Sequence, residues 1–190
     1  MASVVDICNR ALQKLGAESI TSLTQNTENA RACNSCFEFL RDAELRAHPW
    51  NFAIKRAQLA ADLTPPEFGY NLRYQLPSDY LRLLPSDSFD VNRSADYKIE
   101  GKYLLTDLGA PLQIRYIARI TDSNQYDALF NELLATRIAM ELCEKITQSN
   151  TKAQIIRNDY TMAMREARRQ NAFETVPVEM QVDTWVTGRL

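Results

Sequence analysis

Ala47-His48-Pro49-Trp50-Asn51-Phe52-Ala53-Ile54-Lys55-Arg56-Ala57-Gln58-Leu59 is the stretch on which the fold turns. Before it, residues 28 to 47 place Cys33, Cys36, Phe37, Leu40, Ala43 and Ala47 at helical spacing. Pro49 steers His48 out of the helical region and ends that helix. After it, up to Ile120, the apolar pattern breaks into runs of strand length: WNFAIK, NLRYQL, YLRLLP, DYKIEG, KYLLTD and LQIRYI. They are separated by LTPPEFG, LPSD and LPSDS, which are rich in turn formers. Gly101 between Glu100 and Lys102 predicts a hairpin, and Pro77 and Pro85, lacking amide donors, belong at strand ends or sheet edges.

Upstream, Val4, Cys8, Ala11, Leu12 and Leu15 form a stripe over residues 3 to 15, with Ser3 as N-cap and Gly16 as the stop. Downstream, helical periodicity returns over 123 to 147, where Leu129, Phe130, Leu133, Leu134, Ile138 and Leu142 cover a wide surface expected of a central helix. Asp122 and Gln125 resemble a capping box at its start. The break Ile146-Thr147-Gln148-Ser149-Asn150 precedes a fourth helix, 150 to 171, with Ser149 or Asn150 as cap and Ala153, Ile156, Tyr160, Ala163, Met164 and Ala167 facing inward. The expected fold is therefore mainly α with a β insertion. It is a four-helix bundle with a small antiparallel β lobe, residues 50 to 120, between helices 2 and 3. Residues 1–172 form a single domain, and 173–190 an extended C-terminal arm.

The 190 residues are 45% hydrophobic and 24% charged, ordinary for a globular chain. No apolar run approaches the roughly 20 residues of a membrane span, and the acidic start MASVVDICNRALQ does not read as a signal peptide, so a cytoplasmic protein is expected. A net charge of -2 argues against a protein devoted to gripping phosphate backbones. Arg165, Arg168 and Arg169 form a local basic cluster, but Glu166 interrupts it, as on a solvated helix face.

Cys33-x-x-Cys36, with Cys8, Cys143 or His48 completing the set, has the spacing of a metal site. One CxxC without a second ligand pair is a weak signal, and on a helix i and i+3 are neighbours on the buried face, so no metal and no cofactor are expected. The single histidine, the five glycines and the absence of GxSxG, HExxH or a phosphate loop point away from an enzyme. Glu38, Glu44, Glu132, Glu141 and Glu144 keep open a polysaccharide or peptidoglycan hydrolase, which needs only two acids brought together in space; Lys145 is the expected partner of Glu141 at i+4.

The end of the chain, VPVEMQVDTWVTGRL, alternates Val176, Val178, Met180 and Val182. An apolar strand of that kind needs a partner, either its own β lobe or another subunit. Trp185 is the natural anchor and Arg189 a polar contact at the tip.

Several stretches carry a resemblance in the same order: DICNRALQKLGAESITSL (6–23), ARACNSCFEFLRDAELRAHPWNFAIKRAQLA (30–60), YQLPSDYLRLLP (74–85) and ELCEKITQSNTKAQIIRNDYTMAMREARRQ (141–170). Together with an extended end they resemble the tail tubular protein A family of short-tailed bacteriophages, the head-to-tail adaptors. The resemblance implies a virion component, assembled in the host cytoplasm. It forms a homo-oligomeric ring, typically dodecameric, beneath the portal protein, carries the tail nozzle protein, and continues a channel through which DNA passes without specific binding. It further implies that the arm reaches the portal, which assigns that contact to Val178, Met180, Val182, Trp185, Val186 and Arg189.

Overall fold

The computed structural model describes residues 2–85 and 97–174. The first helix, α1, spans Val4–Leu15. Ser3 and Asp6 close a capping box at its start, and Gly16 adopts the left-handed conformation at φ +77°. Gly16 N–H donates to Gln13 O and Ala17 N–H to Leu12 O, which satisfies carbonyls left orphaned at the helix end. Helix α2, Glu28–Ala47, is capped by Thr27 and ends at His48 in extended conformation, the exit that Pro49 demands.

A single 3-10 turn, Asn51–Ala53, follows, so the strand read over WNFAIK begins only at Ile54. Strand β1 is Ile54–Leu59, β2 Leu72–Gln75, β3 Tyr80–Leu84, β4 Tyr97–Glu100, β5 Tyr103–Thr106 and β6 Leu112–Ala118. The chain then makes a second 3-10 turn, Ser123–Gln125, capped by Asp122. Helix α3 starts at Ala128 with Asp127 as its cap and runs to Thr147. The expected start at 123 fails because Tyr126 is drawn into the core, its hydroxyl donating to Ile120 O at 2.8 Å. Gln148, in the left-handed region, and Ser149 turn the chain into α4, Asn150–Phe173, with Ser149 as N-cap.

A four-helix bundle bearing one small β lobe is not what forms. The strands make two three-stranded antiparallel sheets, ordered β1-β6-β3 and β2-β5-β4. The helices do not share one central axis of contact: α1, α2 and α4 each pack on α3, while α1 meets α2 sparsely. The reason lies in α3, whose Phe130, Leu133, Leu134, Ala135, Ile138 and Ala139 are all fully buried and cover too much of its circumference for one seam. Nor is the β region a lobe at one end, because α2 also packs on β3 and β6. Helical and strand residues such as Leu12, Leu45, Leu134, Ile117 and Leu104 belong to one continuous core.

The stripe of α2 is rotated from its expected setting. Ala43 and Ala47 are exposed, and Arg41, Glu44 and Leu45 are buried in their place. Burial of two charged side chains on one helix requires partners, and these organise the region where α2, α4 and the strand entry meet.

Candidate interface where the long helix meets the strand entry

Trp50, 2% exposed, is the centre of an aromatic cluster. Its ring meets His48 edge-on at 4.7 Å and Phe130 at 5.2 Å, and Phe52 packs on both Phe130 and Tyr126. The indole N–H donates to Glu44 O at 2.9 Å, one of the carbonyls that the end of α2 would otherwise leave unpaired. Both helical and strand paths out of this junction are thus pinned by one side chain.

Beside it lies the Glu44 carboxylate, 4% exposed. Tyr160 of α4 donates to Oε1 at 2.8 Å, and Arg137 Nε of α3 stands 3.4 Å from the same oxygen. Oε2 has no hydrogen-bond partner. Burial raises the carboxyl above its ordinary value, while the Tyr160 hydroxyl and the charges of Arg137 and Arg168 pull it back in part. Burial and the neighbouring carboxylate also push the Tyr160 phenol up. His48 is held below the usual imidazole value by burial, then by Arg168 and Arg82, which favours its neutral form.

The last turns of α4 are tied to the same junction. Asn51 N–H donates to Asn171 Oδ1 at 2.8 Å and Asn51 Nδ2 to Asn171 O at 2.9 Å. Asn171 Nδ2 donates to Pro49 O at 3.1 Å and stands 3.3 Å from His48 Nε2. Glu174 receives Asn51 Nδ2 at 3.4 Å. A cleft of about 240 Å³ opens here, walled by Trp50, Phe52, Tyr126, Gln170, Asn171 and Glu174.

Away from the core, α4 is mostly solvent-facing: of its residues only Ile156 and Ala167 are buried. Ile155, Met162 and Phe173 lie on one outward line and are exposed, with Asp159, Glu166 and Arg169 beside them. The Arg169 guanidinium covers the Phe173 ring at 5.5 Å. Arg165, Arg168 and Arg169 are all exposed, and they do not make a uniform basic face.

The other residues singled out in the sequence are placed as follows. Cys8 and Cys33 are buried and face one another across α1 and α2, and Cys36 Sγ donates to Cys33 O at 3.5 Å. Burial, with the neighbouring Cys33 and Glu141, pushes the Cys36 thiol up to about 11. No group of three or more metal-ligating side chains occurs among the described residues. Glu132 is held by Arg10 Nε at 3.0 Å and Lys14 Nζ at 2.6 Å. Lys145 pairs with Glu28 of α2 rather than with Glu141. Glu141 and Glu144, one helical turn apart, line a cleft of about 540 Å³ at the corner between α3 and α4. Val178, Met180, Val182, Trp185, Val186 and Arg189 lie outside the described residues.

Nothing in the sequence marks Glu44, Asn51 and Asn171 as an interacting set, although Cys33, Phe37, Leu40 and Glu44 follow a helical stripe. No helix among the described residues is long and apolar enough to cross a membrane. Compared with family models and with curated proteins, the chain matches none of them.

Proposed function

We propose that this chain is a non-enzymatic structural adaptor of a phage virion, forming a ring beneath the portal that continues the DNA channel and attaches the tail. The ordered likeness from DICNRALQKLG to REARRQ supports this reading. The observation that carries it is the tether of Asn171 to Asn51 and Pro49, at the end of the helix that carries the exposed line Ile155, Met162 and Phe173. An adaptor needs a rigid base from which a terminal segment reaches a partner, and exposed apolar positions on a rigid element suit a contact between copies. A ring requires one face of each subunit to meet a different face of the next. Portal contact through Val178, Met180, Val182, Trp185, Val186 and Arg189 belongs to this proposal, with Trp185 as the anchor.

The test is assembly with the portal protein of a short-tailed phage. The full-length chain should co-sediment with portal rings, and Trp185→Ala combined with Val182→Asp should abolish co-sedimentation while the unfolding midpoint stays unchanged. Binding that survives this double replacement would refute the arm's role. Met162→Asp should separately reduce ring formation.

A second reading, hydrolysis of a polysaccharide or peptidoglycan, is favoured by Glu141 and Glu144 sharing one cleft. Side chains one turn apart are about 5–6 Å from each other at Cβ, close to the separation of paired catalytic acids. A zymogram of the purified chain and of Glu141→Gln and Glu144→Gln decides it: clearing by the parent, lost in both variants, would displace the adaptor reading.

A further inference from the structure

One face of the sheet β1-β6-β3 carries an arrangement that the adaptor reading leaves unused. β6 is the central strand, and its Arg115 lies directly across from Arg56 on β1 and from Leu84 on β3. Side chains alternate between faces, so the pair Gln58 and Gln113, two residues along, shares the face of Arg56 and Arg115. Arg82 of β3, across from Ile117, shares it as well. Arg56, Gln58 and Gln113 are exposed on this face and Arg115 is half-buried; Ile117 and Leu84 of the same face are buried, which sets Arg82, at the Ile117 end, apart from the Arg56–Arg115 pair.

Two arginines directly opposite in an antiparallel pair bring like charges to within about 5 Å at Cβ, which sheets ordinarily avoid. Among the described residues neither Arg56 nor Arg115 has an acidic partner, although Lys55, on the other face, pairs with Asp79 at 2.8 Å. Arg115 is half-buried, and its Nε is closed to solvent without an acceptor. A buried donor in that state is costly until an oxygen reaches it.

We propose that this face binds the phosphate backbone of nucleic acid without regard to sequence. The guanidinium fork matches phosphate oxygens bidentately, and the amide of exposed Gln58 is an ordinary backbone donor. Gln58 stands about 7 Å along the strand from the arginine pair, so a small anion reaches one of the two while a polymer of phosphates spans both. The whole chain carries -2 charges, so attraction is local to this face, weak and salt-sensitive. Contacts of this kind let a duplex slide. The inference rests on the sheet face alone and stands or falls separately from ring assembly.

The experiment is fluorescence anisotropy of two short labelled DNA duplexes of unrelated sequence with the full chain over a salt series. Binding at low salt, alike for both duplexes, with a log–log salt slope of about -2 to -3 is expected for two or three neutralised phosphates. Arg56→Glu, at an exposed position, should lower affinity about tenfold and reduce the slope by about 1. Arg115→Lys should keep the slope but weaken binding through loss of the fork. Arg165→Glu on α4 should change nothing. Absence of binding at low salt, preference for one duplex, or equal loss from Arg165→Glu would each overturn the proposal. Unchanged thermal unfolding of Arg56→Glu confirms that a loss reports the surface and not the fold.

Discussion

Asn51 and Asn171 hold each other twice, side chain to backbone in both directions: Asn51 N–H reaches Asn171 Oδ1 at 2.8 Å, and Asn51 Nδ2 reaches Asn171 O at 2.9 Å. Asn171→Ala removes the first of these and the bond to Pro49 O, leaving an amide N–H and a carbonyl short of partners in a half-buried place. A loss of about 1–3 kcal/mol is expected. Amide hydrogen exchange should quicken over residues 168–174 ahead of the rest of α4, which distinguishes a loosened end from general destabilisation.

Glu44 makes stability depend on pH in a definite direction. Burial raises its folded-state value above the ordinary 4.5, against the pull of Tyr160, Arg137 and Arg168. A raised carboxyl contributes its stability in full below the unfolded value and loses it as pH climbs through the folded one. Glu44→Gln keeps an acceptor for Tyr160 and cannot ionise, so its stability relative to the parent should grow as pH rises above about 4.5 and then level off. Urea midpoints across the pH series check this; a difference independent of pH would contradict it. Tyr160→Phe, which strips the carboxylate of its 2.8 Å donor, should cost about 1–3 kcal/mol at neutral pH.

Trp50→Phe separates packing from hydrogen bonding at the junction. The smaller ring leaves a gap beside Phe130 and releases the Glu44 carbonyl, for a combined expected loss of about 2–4 kcal/mol. Thermal unfolding followed by circular dichroism gives the number.

Gly16→Ala tests the end of α1. The added methyl meets no atom within 4 Å, so any effect is conformational, arising from φ +77°. A cost of about 1 kcal/mol is expected, and Gly16→Asn should cost less, because asparagine tolerates the left-handed region better. Equal stability of all three chains would remove the conformational explanation.

What could be read in advance was local. Ser3, Gly16, Ser149 and Pro49 mark chain ends of helices because caps and breakers act over a few bonds, and these residues do act there. The insertion of β6 between β1 and β3 was not legible, since pairing depends on faces brought together from distant parts of the chain. The buried set at the junction was hidden for a different reason: Glu44 sits on the apolar spacing of α2, but a charge ordinarily argues against burial, and its partners Arg137 and Tyr160 come from α3 and α4. Tyr126 likewise displaced the start of α3 through a tertiary contact that no capping pattern contains.

The placement of β6 has a bearing on how the polypeptide matures. Ile54 on β1 and Arg82 on β3 both wait for the same residue, Ile117, before either can join a ladder. As the nascent chain leaves the ribosome, two edge-seeking segments are therefore exposed together until the last strand emerges to separate them. Early pairing of those two segments with each other, or with a sister chain, is the misstep this topology invites, and closure of the three-stranded sheet is a late event of long sequence span.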